Sequence, residues 1–275
     1  VYSNGYTVTV DANSSATVVT NVAGTVAVAG GSFVLSNGVT LTANVYAGPT
    51  ACVTLAAGLS ATVDGNAYGG YALSAYGVYK VGTGTLTLTK NAYGGSGQAA
   101  TGAYNASTGT LAIGESVYGS DSNNVAFGAR NSSTGTLTVG GSVYAGLEAA
   151  GLLVVSTGTV TVAGSVYAQA DVPGLLHNGT TNNVTIGGNA VGGSAITAYG
   201  VNCVSSGNVT ILGAAISADA PGLGAGVGVT GTGYAIIGSA QTGTGGASPC
   251  VGRVHVADLN SFTALVRSSA SSVTL

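Results

Sequence analysis

The feature that most constrains this chain is an internal repeat with a period of about 25 residues. Its clearest copy begins with Thr136-Leu137-Thr138-Val139, a run in which threonine alternates with an apolar residue. The central positions of successive copies, which lie at nearly constant intervals, are Thr62, Thr87, Ala112, Thr138, Thr161, Thr185, Thr210 and Ala235. Because periods of about 20 to 50 residues are typical of stacked units that bury a shared core, the repeat predicts such a stack.

Each repeat contains three short segments separated by corners. The first segment alternates with a period of two, which places Leu137 and Val139 on one face of a strand and the threonines on the other. A break at Gly140-Gly141 precedes a second strand at residues 142–145. The third segment, seen at residues 76–79, 125–127, 151–155 and 199–203, usually leads into a Ser-Thr-Gly or Ser-Ser-Gly turn. The pattern predicts coils built from three short strands.

The repeats predict an all-β fold without a substantial helix, because glycine interrupts every helix-length window and β-branched residues dominate between the breaks. In a β-solenoid, a β-helix-like stack, equivalent strands of successive coils pair in parallel about 4.8 Å apart. In an extended, double-layered antiparallel meander with amyloid-like packing, each repeat adds antiparallel strands to two close sheets. The fixed period favours the β-solenoid, and the meander is the alternative because it also accommodates short glycine corners.

The regular repeats occupy residues 61–250, which leaves two flanking segments. Residues 1–60 form an irregular N-terminal β segment or cap, whose alternating runs lie closer together and indicate hairpin-like strands. Residues 251–275 are interpreted as a C-terminal cap or docking strand, with a helix or a final strand at residues 258–267. Terminal units of stacked arrays are commonly atypical because they cap or dock the stack.

The composition favours an ordered chain that associates with other chains. Only 5% of its residues are charged, the net charge is −3, and 45% of the residues are hydrophobic. Disordered segments combine low hydrophobicity with high net charge, which is the opposite pattern. The 48 glycines and the many small side chains suit narrow layers rather than a thick globular core. A β-rich surface with so little charge favours association over a soluble monomer.

The chain contains no methionine and no apolar run long enough to cross a membrane. We interpret the missing initiator as the result of leader removal, which predicts an exported, extracellular protein without a transmembrane segment. The cysteines are Cys52, Cys203 and Cys250. At most one disulfide can form within the chain, so at least one thiol is free or bonded to another subunit. The alternative for each cysteine is a buried thiol that acts as a small hydrophobic side chain.

Stacking the repeats places six tyrosines in one column. They are Tyr46, Tyr68, Tyr93, Tyr118, Tyr144 and Tyr167, after which Val191 takes the position. The residue before each tyrosine points to the opposite side of its strand, so the column lies either outside the coil or in a second interior layer. Two roles remain open for these rings, which are stacking within one subunit and contact between subunits.

The threonine columns resemble the T-x-T rows that ice-binding β-solenoids present to ice. Here the rows are broken at Ala112 and Ala235, and β-propensity alone accounts for the threonines. Ice binding is therefore a minor alternative.

Six sequons for N-glycosylation occur in the chain. Their asparagines are Asn13, Asn105, Asn131, Asn178, Asn183 and Asn208. Several matches are expected by chance in a sequence so rich in Asn, Ser and Thr. Positions at predicted corners nevertheless suit surface glycans, which replace charge as a source of wettability.

No combination of residues predicts catalysis, a cofactor or a metal. The aspartates Asp64, Asp121, Asp171 and Asp219 lie about two repeats apart in turn-like contexts, and Glu115 and Glu148 are more than one repeat apart. His177 and His255 lack the neighbours of a triad or a metal site. Five scattered Lys and Arg residues argue against nucleic acid as a partner. The glycine-rich stretch 221–233 lacks the lysine that a phosphate loop requires.

By repeat pattern and composition, the chain resembles the β-strand-repeat surface proteins of bacteria and archaea over most of its length. A small, nearly uncharged chain rich in Gly, Ala, Val, Thr and Ser with an odd cysteine count is similar, more narrowly, to the proteins of the tubular sheaths around filamentous methanogenic archaea. That resemblance implies a resistant, amyloid-like, disulfide-linked layer.

The sequence thus predicts a secreted, non-enzymatic structural subunit whose main partner is itself. Its strand edges pair with further copies to form an extracellular sheath, fibre or surface layer. The alternative is a carbohydrate-binding β-helix of the adhesin or phage-fibre type, for which glycans are the partner.

Overall fold

The computed structural model describes residues 7–10, 15–18, 22–28, 32–35, 37–47, 54–55, 58–71, 74–120, 125–169, 172–179, 183–194, 198–217, 226–229, 234–241, 250–251 and 254–256. Its strands are β1 (Thr7–Val10), β2 (Ser15–Val18), β3 (Val22–Val28), β4 (Ser32–Leu35), β5 (Val39–Ala47), β6 (Thr54–Leu55), β7 (Ala61–Val63), β8 (Ala67–Tyr68), β9 (Val78–Lys80), β10 (Thr85–Leu88), β11 (Ala92–Tyr93), β12 (Ala103–Asn105), β13 (Thr110–Ile113), β14 (Val117–Tyr118), β15 (Ala129–Asn131), β16 (Thr136–Val139), β17 (Val143–Tyr144), β18 (Leu152–Val154), β19 (Val160–Val162), β20 (Val166–Tyr167), β21 (Leu175–His177), β22 (Asn183–Ile186), β23 (Ala190–Val191), β24 (Val201–Cys203), β25 (Asn208–Ile216), β26 (Val227–Val229), β27 (Ala235–Gln241), β28 (Cys250–Val251) and β29 (Val254–Val256).

These strands form a parallel β-solenoid, as the repeat predicted. A regular coil has three strands, each on a different face of the stack. The threonine face contains β7, β10, β13, β16, β19, β22 and β29, the tyrosine face contains β1, β8, β11, β14, β17, β20 and β23, and the third face contains β9, β12, β15, β18, β21, β24, β26 and β28. The long strands β3, β5, β25 and β27 run round the corner between the threonine and tyrosine faces.

All pairings between described strands are parallel, which overturns the antiparallel meander. A meander places consecutive strands side by side, whereas here each strand pairs with its equivalent in the next repeat. The described part of the chain contains no helix, as predicted. The possible helix or strand at residues 258–267 lies outside the described residues.

The register of the threonine face corrects the sequence alignment at one position. Thr62, Thr87, Ala112, Thr138, Thr161, Thr185 and Thr210 pair in order, as the repeat predicted. Thr210 then pairs with Ile236, whereas the alignment had placed Ala235 there. Ala235 pairs instead with Val209, so the inward alternation of the strand is kept and Ala235 and Ile237 are both buried. The last step of the alignment was one residue too short.

A narrow column of small and medium apolar side chains fills the coil. On the threonine face, Leu86 and Leu88 are buried, whereas Thr85 and Thr87, which alternate with them, are only half-buried. Valine or alanine fills the same role on the tyrosine face, where Val117 and Val143 are fully buried and stack in register. Burial of one such Leu or Val side chain stabilises a fold by about 1.5–3 kcal/mol. The stack therefore gains its stability from many similar contributions, each from the burial of one apolar side chain between neighbouring coils.

The N-terminal strands were predicted to be hairpin-like, and that prediction was wrong. β1 pairs in parallel with β3, β3 pairs with β5, and β2 pairs with β4, so these strands form coils of the same stack. Thr7 pairs with Thr25 and Thr25 with Asn44, so each of these coils uses less of the chain than a regular repeat does. The long strands β25 and β27 round the same corner in a coil of ordinary length, so the shorter N-terminal coils differ in the segment that returns the chain.

Candidate functional site

The six tyrosines of the predicted column form a continuous stack of rings on the tyrosine face. Successive ring centroids lie 4.6, 4.8, 4.9, 5.0 and 5.0 Å apart from Tyr46 to Tyr167, and successive ring planes differ by 4 to 7°. Tyr46 is 41% exposed, and the other five rings are half-buried. The rings therefore line the outside of the coil, and they stack within one subunit. We call this set the tyrosine ladder.

The ladder follows directly from the local sequence. Tyr46 lies in the long strand β5 and each of the other five tyrosines ends a two-residue strand, and the residue before each ring is a buried alanine or valine, as at Val117 and Val143. Strict two-residue alternation then forces the ring outward, and parallel pairing sets its distance from the next ring to about one rung, or 4.8 Å. Val191 and Ile216 continue the column in register beyond Tyr167, so the aromatic part ends there.

An open cleft runs along the middle of the tyrosine ladder. Its volume is about 670 Å³, and it is lined by Tyr93, Tyr118 and Tyr144 together with the chain that follows each tyrosine, including Ser96 and Gln169. Because each ring covers the face of its neighbour, the cleft is lined by ring edges rather than by ring faces. Burial, followed by the neighbouring Tyr68, Tyr118 and Glu115, raises the pKa of Tyr93. The Tyr93 phenol is thus a neutral hydrogen-bonding group near pH 7.

A second ladder, of asparagine and serine side chains, holds the corner between the threonine and tyrosine faces. The side-chain oxygen of each member accepts a hydrogen bond from the backbone N–H of the equivalent residue in the next coil, at 2.8 to 3.1 Å. The order is Asn44, Asn66, Asn91, Ser116, Ser142, Ser165, Asn189 and finally Ala214, which only donates its N–H. This corner ladder was not predicted from the sequence, although Asn or Ser precedes every Ala-Tyr and Val-Tyr pair of the tyrosine column.

A column of glycines holds the corner between the tyrosine and third faces. It contains Gly77, Gly102, Gly128, Gly151, Gly174 and Gly200, and the carbonyl of each one from Gly102 onward accepts the N–H of a third-face strand in the preceding coil. A Cβ atom on Gly128 would lie 2.6 Å from the Tyr144 carbonyl oxygen and 2.7 Å from that of Gly151. The coils approach too closely here for any side chain, which explains why glycine precedes each of these strands.

A column of mixed polarity lies inside the coil on the third face. In register it contains Lys80, Asn105, Asn131, Val154, His177, Cys203 and Val229, all buried. Its polar members serve the turn that leads to the next coil. The Asn105 amide donates to the carbonyls of Gly109 and Thr136, and the Ser205 hydroxyl bonds to His177 Nδ1 at 2.6 Å. This column was not predicted from the sequence because its residue types differ from coil to coil.

Lys80 is the cation of this interior column and is only 1% exposed. Its ammonium donates to the Val81 carbonyl at 3.0 Å, the Gly82 carbonyl at 2.6 Å and the Ser107 hydroxyl at 3.4 Å. Burial lowers the pKa of Lys80. Three acceptors satisfy the three donors of an ammonium group, so Lys80 holds a corner of the coil rather than a substrate.

The structure contradicts glycosylation at two of the six sequons, because their asparagines lie in this interior column. Asn105 and Asn131 are 0% exposed, and their amides donate to the carbonyls of Gly109 and Gly135 inside the turn. The folded coil has no room for a glycan on either amide. Asn178 and Asn183 are exposed and Asn208 is half-buried, whereas Asn13 lies outside the described residues. Glycosylation at the three described surface positions stays a prediction.

Cys203 and Cys250 lie too far apart to form a disulfide with each other within the chain. Cys203 is a free, fully buried thiol, and burial raises its pKa to about 12. The strand that contains Cys250 is β28, which pairs with β26, and β26 pairs in turn with β24 and Cys203. Two rungs span roughly 9.6 Å, whereas a disulfide needs Cα atoms within about 7 Å. A bond between Cys203 and Cys250 within the chain is therefore excluded, and Cys52 lies outside the described residues.

A small aromatic cluster on the third face was also missed. Tyr76, Tyr79 and Tyr104 lie 5.0 to 5.4 Å apart, with ring planes inclined by 21 to 50°. The Arg130 guanidinium lies 4.8 Å from the Tyr104 ring centroid, within the range of a cation–π contact. Burial, with the neighbouring Tyr104 and Tyr76, raises the pKa of Tyr79. We call these four residues the third-face cluster.

The candidate catalytic residues are dispersed or have structural partners. Asp64 accepts a bond from the Thr89 hydroxyl at 2.7 Å, and Glu115 accepts one from the Asn91 amide at 2.5 Å. Glu148 is exposed and has a left-handed backbone conformation, with φ of 58°. Asp121, Asp171 and Asp219 lie outside the described residues, as does the glycine-rich stretch 221–233 except for residues 226–229 at β26, and His255 pairs in β29 with Ile236. Within the described residues, no three His, Cys, Asp or Glu side chains form a potential metal site.

Comparison of the chain with known protein families, with curated proteins and with solved structures found no match. In the described part of the chain, we find no helix with the length and apolar character that a membrane crossing requires. The interpretation of function therefore depends on the geometry of the solenoid itself.

Proposed function

We propose that this protein is a secreted, non-enzymatic structural subunit that assembles with copies of itself into an extracellular sheath, fibre or surface layer. Its fold, a parallel β-solenoid of repeated coils, is compatible with a structural or adhesin-like role. The observation that most directly supports assembly is the parallel pairing that extends from β1 at one end to β29 at the other. In the described part of the stack, β1 leaves an open edge on the tyrosine face and β29 leaves one on the threonine face, and a further copy adds a strand at either edge.

The end rungs are the surfaces on which copies add. Among the described strands, β1 pairs with β3 alone and β29 pairs with β27 alone, so one side of each lacks a strand partner in the described part of the chain. Natural proteins block exposed edges with charged residues or proline, and neither β1 nor β29 contains Lys, Arg, Asp, Glu or Pro. Because the chain is already in β conformation, strand addition costs little ordering entropy.

The described polar side chains support a structural rather than a catalytic role. The interior column binds backbone groups of the turns through Lys80 and Asn105, and the corner ladder binds backbone N–H groups of the next coil. The hydrogen-bonding partners of these side chains are therefore backbone groups of the same chain. A hydrolase of polysaccharides needs two carboxyl groups facing one substrate bond, whereas Asp64 and Glu115 bind neighbouring polar side chains at the outer surface.

Electron microscopy of the purified chain over a range of concentrations tests self-assembly. We expect ordered polymers and a mass by light scattering that rises with concentration. Thr9→Lys adds a charge to the end strand β1 and is expected to reduce polymer yield, whereas Thr87→Lys adds the same charge to a central rung and is the matched control. A chain that stays monomeric at every concentration contradicts the proposal.

Disulfides between subunits are a separate part of the proposal. Cys203 is buried and does not reach another chain, so Cys52 and Cys250 are the thiols to test. We expect multimers on non-reducing gels that disappear in Cys52→Ser or Cys250→Ser and persist in Cys203→Ser. Multimers lost in Cys203→Ser contradict this assignment.

The cleft along the tyrosine ladder favours a second function, which is carbohydrate binding in an adhesin. Its hydroxyl-bearing ring edges and the neighbouring Ser96 and Gln169 are groups that hydrogen-bond to sugar hydroxyls. A glycan array probed with the wild-type chain and with Tyr118→Phe tests this function. Tyr118→Phe keeps the ring and removes only the hydroxyl, so unchanged binding to every array member excludes a role for the Tyr118 hydroxyl at the centre of the cleft.

A further inference from the structure

We propose that the tyrosine ladder is a site of oxidative coupling, at which a one-electron oxidant joins tyrosines of successive coils through their ring carbons. The product is a dityrosine that links one coil covalently to the next. This proposal concerns the chain by itself and does not depend on its assembly with other copies.

The geometry brings potential reaction partners together along the whole ladder. Every ring has a neighbouring ring with its centroid at 4.6 to 5.0 Å, and the planes are parallel within 7°. In a parallel, in-register stack, the hydroxyl groups and the carbons ortho to them lie at corresponding positions of each ring. A radical formed on one ring is therefore already beside a second phenol.

Exposure makes the same rings accessible to an oxidant and to water. Tyr46 is 41% exposed, and the rings from Tyr68 to Tyr167 are half-buried on the outside of the coil. The open cleft of about 670 Å³ lies against Tyr93, Tyr118 and Tyr144. The ring edges there are open to an oxidant that approaches from outside the coil, and the phenolic proton has water to accept it. Inside the coil neither condition is met.

The chemistry balances with an oxidant of one named class, a peroxidase supplied with hydrogen peroxide. Each of two tyrosines gives one electron to the oxidant and its phenolic proton to water, which leaves two phenoxyl radicals. The two radicals form one carbon–carbon bond between ortho carbons. The hydrogens displaced from those carbons move to the oxygens and restore both phenols. The chain thereby loses two hydrogen atoms, and one hydrogen peroxide is reduced to two waters.

The third-face cluster provides an internal comparison. Tyr76, Tyr79 and Tyr104 are similarly close, but their planes are inclined by up to 50° and Arg130 covers Tyr104. Three rings also offer fewer steps than six for a radical that moves from ring to ring. We therefore expect the tyrosine ladder to give most of the coupled product.

Two triple variants of the full chain test whether adjacency in the tyrosine ladder is the cause. Y68F/Y118F/Y167F leaves Tyr46, Tyr93 and Tyr144, no two of which are neighbours, whereas Y46F/Y68F/Y93F leaves Tyr118, Tyr144 and Tyr167 as two adjacent pairs. Both variants have the same number of tyrosines and keep every ring. Far-ultraviolet circular dichroism checks that both fold as the wild type does.

Each dilute chain is treated with peroxidase and hydrogen peroxide, and its intact mass, dityrosine fluorescence and cross-linked peptides are measured. We expect monomers lighter by two hydrogen atoms per link, with ladder peptides joined, in the wild type and in Y46F/Y68F/Y93F. The alternating variant is expected to lose at least nine-tenths of the ladder links, roughly a tenfold reduction. Equal ladder yields in the two variants, links confined to dimers, or an unmodified ladder in the wild type each overturn the proposal.

Discussion

Two of the three corners of the coil solve the same problem in different ways. At the corner between the threonine and tyrosine faces, a side chain from each coil bonds to the backbone of the next, as Ser142 does to the Ser165 N–H at 3.0 Å. At the corner between the tyrosine and third faces, side chains are excluded and backbone groups meet directly, as the Ala129 N–H meets the Gly151 carbonyl at 2.9 Å. The first corner adds a hydrogen-bonding side chain beside close-packed glycines such as Gly140, whereas the second depends on the missing Cβ atom alone.

The difference teaches that the two corners tolerate variation differently. The corner ladder needs an acceptor of suitable reach, and both Asn and Ser supply one, so its members vary along the stack. The glycine column needs the absence of an atom, and only glycine meets that condition. A substitution at the glycine corner should therefore be costly whatever its polarity, whereas one at the corner ladder should matter only if the acceptor is lost.

Gly128→Ala is expected to have the largest effect. The new methyl group meets the Tyr144 carbonyl oxygen at 2.6 Å and a methyl group of Val143 at 2.6 Å, so the coils must separate. Overpacking of this kind costs about 3 kcal/mol or more when backbone must move. Urea unfolding followed by circular dichroism measures the loss.

Gly94→Ala is the matched control for Gly128→Ala. A Cβ atom there has its nearest neighbours, all backbone atoms, at 3.2 to 3.3 Å, so it requires a backbone shift of only a few tenths of an ångström. We expect a cost of about 1 kcal/mol or less, at the low end of overpacking effects. Equal losses for the two alanine variants contradict the view that backbone exclusion defines the glycine corner.

Ser142→Ala is expected to cost about 2 kcal/mol, the range for a donor that is left unsatisfied at a half-buried position. It removes the acceptor for the Ser165 N–H and interrupts the corner ladder in the middle of the stack. Ser142→Asn keeps an acceptor and should restore most of the stability. An asparagine variant as unstable as the alanine variant shows that the hydroxyl group itself, rather than an acceptor, is required.

The solenoid was predictable from the sequence because its signal recurs in every coil of the regular stack. Alternation at Thr136 to Val139 fixes which residues face inward, and a constant step fixes which coils pair. The same recurrence predicted the tyrosine column, but it did not show whether the rings stack within one subunit or contact another. Sequence reasoning failed at two places where the coil length changes, at Ile236 by one residue and at β1 to β5 by interpreting shorter coils as hairpins.

The corner ladder and the interior column were not predicted, for different physical reasons. The corner ladder is visible as Asn or Ser before each Ala-Tyr or Val-Tyr pair, but its bonds run to a neighbouring coil and become clear only with the register. The interior column contains Lys80, Asn105 and Cys203 at equivalent positions, and such different residue types have no common pattern. Burial of those residues is a property of the closed coil rather than of any one repeat.

The interior should respond to pH while both corners do not, because neither glycine nor the Asn and Ser side chains titrate. Burial raises the pKa of the Cys203 thiol from 9.0 to about 12, so between these values the unfolded chain releases a proton that the folded chain keeps. Stability is then complete below pH 9.0 and falls as the pH rises through this window. We expect a loss of about 1.4 kcal/mol between pH 8 and pH 10 from this thiol.

Cys203→Val isolates that contribution, because valine fills the equivalent positions at Val154 and Val229. The difference between the urea stabilities of wild type and variant should widen in favour of the variant by this amount at pH 10. A difference that stays constant from pH 8 to pH 10 contradicts burial of the thiol.

Asn189→Ser should have the smallest effect and gives the sharpest test of the corner ladder. Asn189 accepts the Ala214 N–H at 2.8 Å, and the serine of the preceding coil, Ser165, makes the same kind of bond to the Asn189 N–H at 2.9 Å. Because a hydroxyl group already spans one rung at this corner, we expect a change within about 0.5 kcal/mol, whereas Asn189→Ala should lose about 1 kcal/mol or more. If serine costs as much as alanine in urea unfolding, the reach of the amide is essential and Asn and Ser are not interchangeable acceptors at this corner.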